Sequence, residues 1–296
     1  IMKGFVFFDL DGTLLNGHSQ VDESTKKAIQ ALKENGYEPF LATGRSPAEV
    51  QEIMHAANIH SGIFMNGQVI LFQDELVYTS EIPKEIVAEF HEWTKRDGYG
   101  LTAYNHENFY LVQDSEGAKD AYGYIHTTPP ELNEHFYQHH PIYMMLFISL
   151  PPAEEKYKQK FPMLDFLRNT PYSVDIISKG NSKAEGIRRL LKHLNQEDAR
   201  TYAFGDVFNI SGKITNVVSS PPSDVDLTLD ANNTITPGTP VTIRVPNPTS
   251  FTYAVGDTYT GQLKVTSLTP QAGATVTTAD GNSAKLTAAL PAITST

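Results

Sequence analysis

Two carboxylates stand two residues apart in Phe7-Phe8-Asp9-Leu10-Asp11-Gly12-Thr13-Leu14, at the end of an apolar run and directly ahead of a glycine. Transfer of a phosphoryl group needs a nucleophile, a proton donor for the leaving oxygen, and positive charge to neutralise the phosphoryl oxygens. Asp9 suits the first role, through a covalent aspartyl-phosphate. Asp11 suits the second, protonating the leaving oxygen and later deprotonating the hydrolytic water. The plainer reading is an acidic turn that caps a strand. It accounts for one of the two carboxylates but not for the whole string.

Such a pair works only if the fold presents it in a crevice. Apolar strand-like runs occur at Gly4–Phe8, Glu38–Ala42, Gly62–Met65, Ile142–Leu150 and Thr201–Phe204. Helical periodicity occurs at Ser24–Asn35, Pro47–Ala57, Lys84–Lys95 and Ser182–Leu194, with Gly36 just past the first helix and Pro47 just inside the second. This alternation predicts a Rossmann-like, doubly wound parallel sheet. In that architecture the carboxyl ends of the strands line the ligand crevice, and Asp9 and Asp11 follow such an end.

The string resembles the first motif of the haloacid dehalogenase superfamily, within it the Cof-type phosphatases, over a stretch from about Lys3 to Asp206. The resemblance implies Asp9 as nucleophile and Asp11 as general acid/base. Leu41-Ala42-Thr43-Gly44-Arg45 is similar to the second motif, whose Thr43 hydroxyl would bind the transferring phosphoryl group beside Gly44 and Arg45. By itself that segment also reads as a strand-to-helix turn with an N-capping Thr. Ser178-Lys179-Gly180-Asn181-Ser182-Lys183 is similar to the third motif. Lys183 would pair with Asp9 and the phosphoryl oxygens, with Lys179 as the alternative and a solvated loop as the plainer role for it. Phe204-Gly205-Asp206 is similar to the opening of the fourth motif. The resemblance implies a magnesium ion held by Asp9, the Asp11 carbonyl and Asp206. Asn209 then fits the family pattern as a phosphate-side residue, but Ile210 stands where the family carries a second Asp.

Between Arg45 and Lys179 the chain is far longer than one strand-helix unit needs. The resemblance makes this insert an α/β cap of the C2 type at 82–178, following a hairpin at Gln68–Thr79, with the core made of 1–81 and 179–206. Asn66, in Met65-Asn66-Gly67, either faces the pocket or forms a plain turn. His135 and His139 have the spacing of one helical face, yet no Glu follows the first and no third ligand stands near, so zinc is set aside. Tyr104, Phe109, Tyr110, Tyr122 and Tyr124 read as cap core or pocket wall.

After Asp206 the text changes: Glu, His, Met and Trp vanish and Thr dominates. Short alternating runs such as Val225–Leu229, Val241–Val245, Phe251–Val255 and Leu263–Val265, parted by Pro, Gly and Asn turns, predict an all-β, Ig-like sandwich over 207–296. The whole chain has 296 residues, no cysteine and a formal charge of -11, which excludes disulfide and thiolate chemistry and argues against nucleic acid or an anionic membrane as partner. No secretory leader or membrane span is expected, which places the phosphatase part in the cytoplasm. The function predicted is magnesium-dependent hydrolysis of a small phosphorylated metabolite, a sugar phosphate or phosphorylated cofactor. The alternative is an impaired fusion of a truncated core with a β-sandwich binding module.

Overall fold

In the computed structural model, residues 2–205 are described in full apart from the Asn169 side chain; beyond them only the backbone of 207–220, 224–229, 241–245, 258–264 and 293–294 is described. The chain starts with β1 (Gly4–Phe8), α1 (Glu23–Glu34), β2 (Tyr37–Ala42), α2 (Pro47–Ala57) and β3 (Gly62–Phe64). A hairpin of β4 (Val69–Phe72) and β5 (Glu75–Thr79) follows. The insert then supplies α3 (Lys84–Asp97), β6 (Gly100–Tyr104), β7 (Phe109–Gln113), α4 (Ala118–Tyr124), α5 (Phe136–His139), β8 (Met144–Ile148), α6 (Glu154–Lys160), β9 (Leu164–Thr170) and β10 (Ser173–Ser178). The chain returns to the first sheet through α7 (Lys183–His193) and β11 (Thr201–Phe204).

The first sheet has the order β11-β1-β2-β3-β4-β5. It is parallel from β11 to β3 and antiparallel from β3 to β5, so the fully parallel sheet predicted above is corrected to a mixed one. The reason is connection length. Two residues, Gln73 and Asp74, join β4 to β5, and so short a link cannot make the crossover that parallel strands require. Both residues of this link take positive φ, as tight hairpin turns demand. Register opposes Phe8 to Leu41 on one side and to Phe204 on the other, so Asp9 and Thr43 leave the sheet at the same end.

The insert forms a second sheet, antiparallel, in the order β7-β6-β8-β10-β9. Period-two alternation splits its side chains. Leu101, Ala103, Met145, Phe147, Val174 and Ile176 pack with Val87 and Phe90 of α3 and with Tyr157 of α6. Tyr104, Met144 and Ile177, on the other face, share a cluster with Leu10, Val50 and Met65 of the first sheet's layers. Phe90 has no exposed surface and its ring lies 5.0–5.5 Å from those of Phe147, Tyr157 and Phe161. Phe90→Ala is therefore expected to cost about 3–5 kcal/mol in denaturant unfolding, as truncation of a fully packed ring does.

The spacing of His135 and His139 fits one helical face, but the helix there is only Phe136–His139, with His135 outside it at the N-cap, so the two do not share such a face. Among the described residues no group of three His, Asp or Glu side chains is placed to hold a metal, and no helix is long and apolar enough to cross a membrane. Tyr104 and Tyr122 are buried, whereas Tyr124 is exposed.

Residues 205–296 cluster separately from the preceding unit. Their described strands are β12 (Val207–Ser220), β13 (Asp224–Leu229), β14 (Val241–Val245), β15 (Thr258–Lys264) and β16 (Ile293–Thr294), antiparallel in the order β14-β13-β12-β15-β16. The predicted strand at Phe251–Val255, and with it a second layer that would make a sandwich, lies outside the described residues. Asn209 falls in β12, opposite Gln262.

Candidate active site

Asp9 is the first residue beyond β1, and its N–H donates to the carbonyl of Phe204 on β11 (2.8 Å). Its carboxylate caps the wide turn Leu10–Leu14: Oδ1 accepts the Leu10 N–H at 2.9 Å. Gly12 carries the positive φ of 77° that lets the turn close, a conformation that glycine adopts without steric cost. Leu10 and Leu14 point into the core, while Asp11 between them projects outward. The alternation of buried and exposed residues in this turn is what separates the two carboxylates.

Lys183 is the first residue of α7, and its Nζ lies 2.8 Å from Asp9 Oδ1. Ser182 caps that helix by accepting the Glu185 N–H. What brings the helix start to the end of β1 is a close approach in the turn Met65–Gly67. A Cβ on Gly67, whose φ is +95°, would sit 2.3 Å from the Ser182 carbonyl oxygen. Gly67→Ala would meet both that backbone oxygen and an unfavourable φ. The expected result is a loss of about 2–4 kcal/mol in unfolding together with reduced turnover, because relief of the clash moves Lys183 away from Asp9.

The second strand ends in a tightly bonded loop. Thr43 is buried, and its Oγ1 accepts the Arg45 N–H at 3.1 Å. Arg45 grips Asp11 with two nitrogens, Nε to Oδ2 at 3.0 Å and Nη2 to Oδ1 at 2.5 Å, the two-pronged geometry that a guanidinium favours with a carboxylate. Asn66 donates its N–H to the Thr43 carbonyl (3.2 Å), and its side-chain Nδ2 lies 3.3 Å from Asp175 Oδ2 on β10. A Cβ on Gly44 would stand 3.3–3.5 Å from Asn66 and Asp175, which marks how closely the insert approaches the loop here.

The structure thus brings Asp9 together with Lys183, Asp11 with Arg45, and Thr43 and Gly44 with Asn66. Lys179 lies apart, donating to the Pro162 carbonyl at 3.3 Å. Asp206 and the Asn209 side chain fall outside the described residues. Three residues not singled out from sequence belong to this neighbourhood: Gly67, Glu49 and Asp175. Glu49 had a readable signal, since Ser46-Pro47-Ala48-Glu49 is a capping-box spacing. Asp175 had none, because it meets Asn66 only through a contact 109 residues away in the chain.

Burial pushes the Glu49 carboxyl above its usual range, although hydrogen bonds from Ser46 and the Arg45 charge oppose this; the Asp11 charge adds to it. Burial also raises Tyr122 to about 12 and Tyr104 well above the ordinary phenol value. Both phenols therefore stay protonated as neutral hydroxyls, joined to each other at 3.4 Å and through Tyr122 to Thr102 at 2.6 Å. A cavity of about 580 Å³ on the flank of α2, lined by Gln51, Met54, His55, His60 and His106 among others, includes none of Asp9, Asp11, Arg45 or Lys183. The paired charges rather than that cavity mark the chemistry.

A carboxylate beside an ammonium, with a second carboxylate two residues on, is a set of groups that could serve transfer of a phosphoryl group. The comparisons agree in kind. Residues 6–209 match the family model described as haloacid dehalogenase-like hydrolase. YkrA of Bacillus subtilis (strain 168) is 31% identical over 205 residues, which are 69% of this chain and 79% of that protein. Phosphatase YwpJ of the same strain is 24% identical over 237 residues, 69% of this chain and 83% of that one. A solved hypothetical protein from Geobacillus kaustophilus HTA426 superposes with a TM-score of 0.65 at 30% identity, over 69% of this chain and 80% of its own. The sugar phosphatase BT4131, described as HAD subclass IIB, superposes with a TM-score of 0.59 at 26% identity over 69% and 80%. The chain belongs to the haloacid dehalogenase-like hydrolases.

Proposed function

We propose that this chain is a magnesium-dependent phosphatase of small phosphorylated metabolites, working through an aspartyl-phosphate on Asp9. The observation that carries the reading is the 2.8 Å pair of Asp9 and Lys183 at the carboxyl end of β1, with Asp11 held two residues away. Asp9 Oδ1 is occupied by Leu10 and Lys183, which leaves Oδ2 to attack phosphorus. As the new O–P bond forms, the bond to the leaving oxygen breaks and Asp11 gives that oxygen its proton. Asp11 then takes a proton from water as the water oxygen attacks phosphorus, releasing inorganic phosphate and restoring the Asp9 carboxylate. Lys183 neutralises the phosphoryl oxygens, and the Thr43 hydroxyl with the Gly44 N–H offers them hydrogen bonds.

A carboxylate such as that of Asp9, joined by a backbone carbonyl oxygen, suits a hard cation such as magnesium. Asp9 and the Asp11 carbonyl would hold it; Asp206, the further ligand that the resemblance implies, lies outside the described residues. When bound, it supplies charge neutralisation for the transferred group. Residues 82–178 act as the cap that covers the site and meets the leaving group, with Asn66 on the core side of that seam. The phosphatases among the relatives, the sugar phosphatase in particular, support a sugar phosphate or phosphorylated cofactor as substrate. Hydrolysis of an aryl phosphate, followed by a panel of sugar phosphates, with and without magnesium, tests this. A folded chain inert toward all of them would overturn it.

A further inference from the structure

The Asp11 clamp depends on where the Arg45 main chain is held, and that anchoring is unusually complete. The Arg45 carbonyl accepts the Met65 N–H at 3.1 Å. On the other side of the same peptide bond, the Ser46 N–H donates to Glu49 Oε2 at 2.7 Å. The Arg45 N–H, on the preceding peptide, donates to Thr43 Oγ1 at 3.1 Å. Peptide units are planar, so holding both planes that flank the Arg45 Cα fixes the direction in which its side chain leaves the backbone. The same Glu49 oxygen accepts the Ser46 hydroxyl at 2.8 Å, and Ser46 Oγ accepts the Glu49 N–H at 3.3 Å. Ser46 is wholly buried, so water cannot replace Glu49 as its partner.

We propose that Glu49 is a positioning residue for phosphoryl transfer: it locks the Arg45–Ser46 peptide so that the Arg45 guanidinium holds the ionised Asp11 carboxylate where it takes the proton of the attacking water. This rests on the phosphatase reading for its kinetic consequence and on geometry alone for the lock itself. A capping residue that only stabilised α2 would affect melting and nothing else. A positioning residue affects kcat in the folded enzyme, and does so only while Arg45 is present.

Glu49→Ala, Glu49→Gln, Arg45→Met and the Glu49→Ala/Arg45→Met double variant separate the two. On an aryl phosphate with magnesium, well below the melting temperature, Glu49→Ala is expected to lower kcat about tenfold with KM within about twofold. Glu49→Gln, whose amide oxygen still accepts the Ser46 N–H, should stay within about threefold of the parent. In the Arg45→Met background, Glu49→Ala should add nothing. Parent-like kcat in Glu49→Ala, or losses that multiply in the double variant, would overturn the proposal. A parent chain without turnover would defeat the phosphatase reading, and the lock is then read by NMR. The Arg45 Nε–H resonance, assigned by its disappearance in Arg45→Lys, should be present in the parent and broadened away in Glu49→Ala. An unchanged resonance would sink the lock as well.

Discussion

Asp9→Asn is expected to reduce kcat/KM at least about 10⁴-fold, the scale seen when a covalent nucleophile is removed. The substitution keeps shape. Asparagine still presents an oxygen to the Leu10 N–H, so the turn Leu10–Leu14 keeps its cap. What disappears is the negative charge that pairs with Lys183 and that the proposed mechanism turns on phosphorus. That pair is partly exposed, with 21% of the Asp9 and 37% of the Lys183 side chain accessible, so its loss should change unfolding stability by less than about 1 kcal/mol. Steady-state kinetics beside a thermal melt check both halves. Turnover that survives in a well-folded Asp9→Asn variant would mean that another group is the nucleophile.

Lys183→Met should lower kcat about 10²–10³-fold, with a smaller change in KM. Its ammonium lies 2.8 Å from Asp9 Oδ1, and in the proposed mechanism it faces the charge that gathers on the phosphoryl oxygens. Methionine fills similar volume but supplies neither hydrogen bond nor charge. The matching control is Lys179→Met, expected to be neutral because Lys179 donates to the Pro162 carbonyl instead. A reversal, with Lys179→Met damaging and Lys183→Met tolerated, would reassign the role between the two lysines. Measuring kcat and KM separately matters here, since a loss confined to KM would make Lys183 a ground-state contact only.

Much of this site was legible before any coordinates. Asp9 and Asp11 follow an apolar run, Thr43 and Lys183 lie at strand and helix boundaries, and those boundaries came out within a residue or two because capping and periodicity are local properties. The length between Arg45 and Lys179 already called for more than one strand-helix unit. Where the reading went astray, the deciding interactions were not local. The first sheet is mixed because the β4–β5 hairpin folds back rather than crossing over. The histidine helix shrank to one turn, leaving His135 outside, although the spacing of His135 and His139 fitted a longer one.

Sequence by itself determined the chemistry on offer: a pair of carboxylates with one residue between them, a lysine opening a helix, a guanidinium next to a capping box. Residue type fixes charge, proton affinity and hydrogen-bonding capacity, and chain spacing fixes which short turns can form. Tertiary structure decided which of those groups meet. Gly67 admits the Ser182 carbonyl and so carries Lys183 to Asp9 across 174 residues of chain. Arg45 reaches Asp11 because register places the ends of β1 and β2 side by side. Asp175 reaches Asn66 because the inserted sheet packs its Tyr104, Met144 and Ile177 face onto the first layer. Such contacts follow from packing among surfaces far apart in the chain, which no local pattern encodes.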